Sequence, residues 1–184
     1  MKALSLSGGV TCAVLRERMT RAPVVQFDTL RRCVDLCQWL AVDINFNLIK
    51  ASFESTSRFA RLLDVDVTVA GRQAYLRFGI ETGDAMGMNM VSKGTERALA
   101  TLSEQFTDMH VVSLSGNLCS DKKATAVNWV KGRGRSVVCE AVLDSSVVQT
   151  VLKTTVEALV HLNVSKNLVG ALSFYVLSGI DLQQ

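Results

Sequence analysis

Val65-Asp66-Val67-Thr68-Val69-Ala70-Gly71-Arg72-Gln73-Ala74-Tyr75-Leu76-Arg77-Phe78 decides the fold. Val65, Val67 and Val69 alternate with Asp66 and Thr68, the period of a half-buried strand. Ala70 to Gln73 turn the chain, and Tyr75 to Phe78 return it as the partner strand of a hairpin. On the N-terminal side, Leu30, Cys33, Val34, Cys37 and Leu40 or Trp39 recur at helical spacing between Thr29 and Leu40. A second helical run covers Asn47 to Leu62, with Leu48, Phe53, Phe59 and Leu62 as candidate core positions. The polar, basic Ser55-Thr56-Ser57-Arg58-Phe59-Ala60-Arg61 lies inside that run and is the alternative place for the helix to end in a loop. Val24-Val25-Gln26-Phe27 reads as a strand after Pro23. On the C-terminal side, Met90, Gly94, Ala98, Leu102 and Phe106 form the inward stripe of a helix, and Val111 to Leu114 a further strand. The order is βαββαβ, which predicts a ferredoxin-like unit over residues 23–114.

The flanks are shorter. Residues 1–22 carry Leu4, Leu6 and the turn Ser7-Gly8-Gly9, followed by Val10 to Met19. After Leu114 come Ser115-Gly116-Asn117, Asp121-Lys122-Lys123, a segment around Val127, Trp129 and Val130, and the basic turn Lys131-Gly132-Arg133-Gly134-Arg135. A strand over Ser136 to Leu143 follows. Asp144 or Ser145 then caps a long amphipathic helix through His161, carried by Val148, Leu152, Val156, Leu159 and Val160. Neither flank makes a closed core alone. The expected fold class is α+β, with the ferredoxin-like domain inserted into an incomplete larger α/β domain whose pieces are residues 1–22 and 115–170. Residues 171–184 form a divergent tail.

Composition narrows the function classes. The chain has 184 residues, 48% of them hydrophobic, and a net charge of +3. That suffices for a real core and argues weakly for an anionic ligand, not for nucleic acid. Lys122, Lys123, Lys131, Arg133 and Arg135 cluster around Trp129, yet lack the interleaved aromatics of an RNA-binding sheet. No apolar run is long enough for a membrane span, and no signal-peptide pattern follows Met1, so the chain as given is expected to be cytosolic. Five cysteines without a secretory signal are expected to be reduced thiols. Cys33 and Cys37, four apart on one helix, suit neither a disulfide nor a zinc site, and no metal-ligand cluster is expected.

Two stretches carry candidate chemistry. Gly83-Asp84-Ala85-Met86-Gly87-Met88-Asn89-Met90 joins a strand to a helix. Its glycines allow close approach, Asp84 is a candidate helix cap, and free N–H groups at the helix start suit a phosphate. The alternative is an ordinary turn with methionines packed inward. In Asp121-Lys122-Lys123, an ammonium beside a carboxylate can stabilise an oxyanion forming on a carbonyl; a solvated charge run is the alternative. Ser115 and Asn117 add short polar groups, while Arg21 and Ser57-Arg58 suit phosphate or surface ion pairs. His110 and His161 carry no assignment, and no G-x-G-x-x-G follows the first strand.

Asp84-Ala85-Met86-Gly87-Met88-Asn89-Met90 with Ser92-Lys93-Gly94 resembles the cofactor motif of the 3-hydroxy-3-methylglutaryl-coenzyme A reductase family, in its eukaryotic branch. Ser115-Gly116-Asn117-Leu118-Cys119-Ser120-Asp121-Lys122-Lys123 resembles its catalytic-lysine segment. Met19-Thr20-Arg21, Ser55 to Arg61, Gly132-Arg133-Gly134 and Lys166-Asn167-Leu168-Val169-Gly170 match in the same order. The resemblance implies a two-step, NADPH-dependent reduction of the HMG-CoA thioester to mevalonate and coenzyme A. Lys122 takes the catalytic role by this resemblance, and Ser115, Asn117, Asp121, Lys123 and Lys166 line the substrate pocket. Arg21, Ser57, Arg58, Phe59, Asp84, Met86, Gly87, Met88 and Asn89 fall on nucleotide-binding positions. The family forms homo-oligomers, and an anchored parent sits at the endoplasmic reticulum facing the cytosol. The family's catalytic glutamate, aspartate and histidine have no counterpart in residues 1–184, so the chain is expected to be a partial catalytic domain. A non-catalytic nucleotide-binding fragment is the alternative.

Overall fold

The computed structural model describes residues 1–169, so the expected tail of 171–184 lies outside the described residues. The elements are α1 (Lys2–Leu6), β1 (Thr11–Arg21), β2 (Val24–Gln26), α2 (Leu30–Leu40), α3 (Asp43–Glu54), β3 (Arg61–Ala70), β4 (Gln73–Glu81), α4 (Met88–Gln105), β5 (His110–Ser113), α5 (Ala126–Val130), β6 (Gly134–Glu140), α6 (Ser145–Val147) and α7 (Val156–Leu162). The sheet runs β5-β2-β4-β1-β6, with β3 on the other edge of β4. The described residues divide into two compact units, Val14–Val137 and the pair of segments Met1–Ala13 and 138–169.

In the first unit the hairpin is the longest pairing, from Ala70↔Gln73 to Arg61↔Glu81. β2 and β1 follow one another along the opposite side of β4, at Val24↔Tyr75 and at Arg21↔Phe78, both antiparallel. β5 pairs antiparallel with β2. Alternation sorts β4 cleanly. Ala74, Leu76, Phe78 and Ile80 enter the core with Val25, Phe27, Cys33, Leu36, Ile49, Phe53, Val91, Ala98 and Leu102. Tyr75, Arg77 and Gly79 take the other face. Gly94 lets α4 close on α3, because a Cβ there would lie 2.5 Å from Phe53 Cζ.

The helix ending near Leu62 stops at Glu54 instead. Ser55 Oγ donates to the Ser52 carbonyl (2.7 Å) and Thr56 Oγ1 to that of Phe53 (2.9 Å). These local bonds offer the backbone an alternative to another turn. Leu62 consequently sits in β3, buried, while Leu48 and Phe59 are exposed. In α2 the buried positions are Cys33, Leu36 and Leu40, and Leu30 faces outward. Asp84 caps no helix: α4 starts at Met88, and its N-cap is Gly87 at φ 76°. Met86 precedes that helix and is exposed, whereas Met88 and Met90 pack against the core.

In the second unit α1 lies against the π-helical segment Val148–Leu152, where Ala3 and Val148 are buried. The Asp144 amide donates to Ser7 Oγ at 3.3 Å. The expected long helix from 144 to 161 is broken. Lys153 is left-handed at φ 58°, and Thr155 is extended with its hydroxyl accepting from the Ala158 amide at 3.2 Å. A β-branched residue placed to cap wins over one more helical turn. His161 lies in the last turn of α7. Among the described residues, no helix is long and apolar enough to cross a membrane.

Candidate functional site

The register of β3 on β4 brings the expected nucleotide-binding stretches to one end of the hairpin. Arg61 opposes Glu81, so the loop before β3, with Ser57, Arg58 and Phe59, and the loop after β4 leave the sheet side by side. Ser57 Oγ accepts from the Phe59 amide at 3.2 Å, which folds that loop into a tight turn. The Arg58 guanidinium stands 4.7 Å from the centroid of the Phe59 ring, with the ring exposed. Glu54 Oε1 accepts from the Leu62 amide at 3.0 Å and ties the loop's end to α3.

Across β4, Arg21 reaches the first turn of α4. Its Nη2 donates to Ser92 Oγ at 3.0 Å, and that hydroxyl donates to the Met88 carbonyl at 2.9 Å. Arg21 Nε is buried with no hydrogen-bond partner among the described residues. The turn into α4 is held by Thr82, whose Oγ1 donates to the Ala85 carbonyl at 2.6 Å. Gly83 (φ 64°) faces open space, while Gly87 lies against Thr82. Asp84 and Asn89 are exposed. A cavity of about 370 Å³ is lined by Glu17, Arg18, Thr82, Asp84, Met86 and Arg135, among others. Arg135 donates to the Gly83 carbonyl (3.3 Å), pairs with Glu17 (3.3 Å) and comes within 3.8 Å of Asp84.

The lysine-bearing segment is a loop bent by unusual backbone. Asn117, Ser120 and Lys122 all have positive φ, at 63°, 56° and 56°. Non-glycine residues adopt this conformation in numbers only where surrounding contacts hold them there. Those contacts are visible. The Gly116 amide donates to the Ala22 carbonyl at 2.7 Å, and Thr20 Oγ1 donates to the Cys119 carbonyl at 2.8 Å. Asn128 Nδ2 donates to both the Ser120 (3.0 Å) and the Lys123 (2.8 Å) carbonyls, bracketing Asp121 and Lys122. Lys122, Lys123 and Asn117 are exposed, and Ser115 is half-buried.

Cys119 is buried with its Sγ 3.4 Å from Ser115 Oγ. Burial pushes its thiol pKa up, but the Ser115 hydroxyl, the Asp121 amide and the charges of Arg21 and Arg133 outweigh it and hold it below the usual thiol value. Arg133 is the residue whose role local sequence conceals. Its Nη2 lies 2.5 Å from Asp121 Oδ1 and 3.4 Å from Met88 Sδ, so one guanidinium touches both candidate stretches. Lys131 pairs with Asp66 at 2.8 Å. Three members of the basic cluster around Trp129 are thus engaged with carboxylates. Lys166 belongs to the other unit, exposed on the π-helical segment Asn163–Val169.

Against known proteins, the model of the hydroxymethylglutaryl-coenzyme A reductase family matches residues 1–180. The chain is 54% identical over 170 residues to 3-hydroxy-3-methylglutaryl-coenzyme A reductase 2 of Dictyostelium discoideum, covering 92% of this chain and 32% of that protein. It is 53% identical over 180 residues to the Zea mays 3-hydroxy-3-methylglutaryl-coenzyme A reductase, covering 98% and 31%. Among solved structures, the NADPH-bound class II 3-hydroxy-3-methylglutaryl-CoA reductase from Streptococcus pneumoniae aligns at 18% identity with a TM-score of 0.49, over 61% of this chain and 31% of that chain. The chain thus spans about a third of the length of the curated relatives it matches.

Proposed function

Because the chain belongs to the hydroxymethylglutaryl-coenzyme A reductase family, we propose that it carries the nucleotide-binding and lysine-bearing portions of an enzyme reducing HMG-CoA to mevalonate and coenzyme A. The observation that carries this reading is Arg133, which joins Asp121 of the lysine loop to Met88 at the start of α4.

On this reading residues 23–114 are a ferredoxin-like cofactor domain, and residues 1–22 and 115–170 are parts of the substrate domain. The antiparallel order β5-β2-β4-β3, with helices after β2 and after β4, supports the ferredoxin-like assignment. NADPH fits the residues at that end of the hairpin. The start of the long helix α4 offers unpaired amides, Gly83 leaves open space beside it, and Arg21 keeps a buried Nε without a partner there. Arg58, Ser57 and Arg21 would hold its phosphates, with Asp84, Met86, Gly87, Met88 and Asn89 along its remaining length. When bound there, NADPH would supply the hydride for the reduction.

Lys122 donates from its ammonium to the carbonyl oxygen as charge develops there, once for the thioester and once for the aldehyde. The left-handed backbone at Lys122, bracketed by the two Asn128 bonds, fixes where that ammonium emerges. Ser115, Asn117, Asp121 and Lys123 would orient the hydroxymethylglutaryl group. A homo-oligomeric parent, anchored at the endoplasmic reticulum and facing the cytosol, belongs to the same proposal.

Titration of the 184-residue chain with NADPH, read by nucleotide fluorescence, tests this. Saturable binding that weakens at least about tenfold in Arg58→Ala, the loss of one charge-assisted phosphate contact, is the expected result. Unchanged affinity in that variant removes Arg58 from the site. No binding by a folded chain removes the nucleotide assignment, and binding without any effect of HMG-CoA favours the non-catalytic alternative.

A further inference from the structure

Cys12 on β1 and Cys139 on β6 lie 2.9 Å apart, sulfur to sulfur, although they are 127 positions apart along the chain. The two strands are neighbours in the sheet, and β6 closes its edge. Both thiols are free and exposed, whereas Cys33 and Cys119 are buried and Cys37 is half-buried. We propose that Cys12 and Cys139 form an oxidative modification site, a vicinal cross-strand dithiol that closes to a disulfide on exchange with a low-molecular-weight disulfide such as oxidised glutathione.

The chemistry needs proximity, access and a thiolate. Proximity comes from the sheet: β1 and β6 are neighbouring strands, and the two sulfurs already stand 2.9 Å apart. Access comes from the exposure of both residues. The hydrogen bond with Cys12 pushes the Cys139 thiol up, and because either sulfur of the pair can be the donor, either can supply the attacking thiolate.

With Cys12 as the thiolate, it attacks one sulfur of the glutathione disulfide, forming a mixed disulfide and expelling one glutathione thiolate, which takes up a proton; the route that begins at Cys139 is the same with the two residues exchanged. Cys139 then gives up its proton to solvent, and its thiolate attacks the Cys12 sulfur, expelling the second glutathione. Two protein thiols lose two electrons and two protons, and one glutathione disulfide becomes two glutathione thiols. Geometry selects the pair. In an unfolded chain, closure between residues so far apart is entropically disfavoured against nearer cysteines such as Cys33 and Cys37.

The test equilibrates the full 184-residue chain in a glutathione buffer poised near about −200 mV, quenches with acid, and maps cysteines by mass spectrometry. The expected result is a monomer lacking two hydrogens, three alkylatable thiols of the original five, and a Cys12–Cys139 linked peptide. Cys12→Ser and Cys139→Ser should each retain all remaining thiols apart from a single glutathione adduct on the surviving partner. The same oxidation in 6 M guanidinium, as an order-of-magnitude denaturing condition, should lose the preference for this pair. Five unmodified thiols, a bridge between another pair, an adduct that never closes, or equal pairing in the denatured chain would each overturn the proposal.

Discussion

Arg133 reaches Asp121 with a 2.5 Å ion pair, and the same Nη2 lies 3.4 Å from the sulfur of Met88. Both partners of the ion pair are largely withdrawn from water, Arg133 more so than Asp121, with side-chain exposures of 11% and 27%. Removing the cation leaves the carboxylate half-desolvated beside Lys122. Arg133→Met, which keeps the contact volume near Met88, is therefore expected to cost about 1–3 kcal/mol. Urea denaturation measures it. Pairing it with Asp121→Asn should recover part of the loss, and simple additivity of the two would show that the pair is not coupled.

Gly116 is a packing glycine. A Cβ there would overlap the Val24 Cγ2 methyl and stand 3.0 Å from Tyr75 Cδ1, because the Gly116 amide is drawn to the Ala22 carbonyl. Gly116→Ala is expected to destabilise by roughly 1–3 kcal/mol through this overlap. Val24→Ala in the same chain removes the obstructing methyl, so the double variant should lose well under the sum of the two single losses. Equal or greater destabilisation in the double variant would mean that Val24 is not the obstacle.

What could be read in advance follows from how far each interaction reaches along the chain. Alternation along Val65–Val69 and Tyr75–Phe78 is local, and the hairpin emerged with its register extended at both ends. The stripe Met90, Gly94, Ala98, Leu102 and Phe106 is local too, and α4 carries it. β1 was not read as a strand, because Thr11 to Arg16 are all exposed and show no buried alternation. Arg77 lies on the face of β4 away from the core cluster. It is 2% exposed and donates to the Gly132 carbonyl at 3.0 Å, since the segment after β5 folds over that face of the sheet. Arg18 and Asp64 pair on the same face. The motif residues themselves were legible, but the bonds that hold them in place leave no local period: Arg133 reaches Met88 across tens of residues, and Asn128 and Thr82 act over shorter spans through single side-chain bonds to loop carbonyls.

Arg32 and Asp108 give the molecule a pH-sensitive clasp. Arg32 donates through Nε and Nη2 to both Asp108 oxygens at 2.7 Å, and its guanidinium lies 5.3 Å from the Phe106 centroid. The hydrogen bonds from Arg32 hold the Asp108 carboxyl below its ordinary value of 3.8. A folded-state value lower than the unfolded one means that the unfolded chain binds the proton first as acid is added. The stabilisation is therefore present above that ordinary value and is lost as pH falls through the lower folded-state value. Asp108→Asn should lower the unfolding midpoint at pH 6 and converge with the parent chain at the acid end. A difference between the two that stays constant down to pH 2 would show that the clasp is not ionic.

Gly83 and Gly87 share a left-handed backbone, at φ 64° and 76°, but not surroundings. Nothing lies within 4 Å of a Cβ built at Gly83, whereas one at Gly87 would stand 2.5 Å from Thr82 Cγ2 and 2.6 Å from Thr82 Cβ. Thr82 cannot swing aside without giving up its bond to the Ala85 carbonyl, which shapes the turn into α4. Asparagine tolerates the left-handed region, so it separates backbone strain from steric overlap. Gly83→Asn should cost under about 1 kcal/mol, and Gly87→Asn about 2–3 kcal/mol or more, because overlap is added to a modest backbone term. Chemical denaturation reads the stability, and hydrogen exchange at Val91, whose amide donates to the Gly87 carbonyl at 2.9 Å, reads the first turn of the helix. Faster exchange at Val91 in the Gly87 variant alone is the expected pattern. Similar losses in both variants would mean that the left-handed backbone, and not Thr82, is what requires glycine at the helix start.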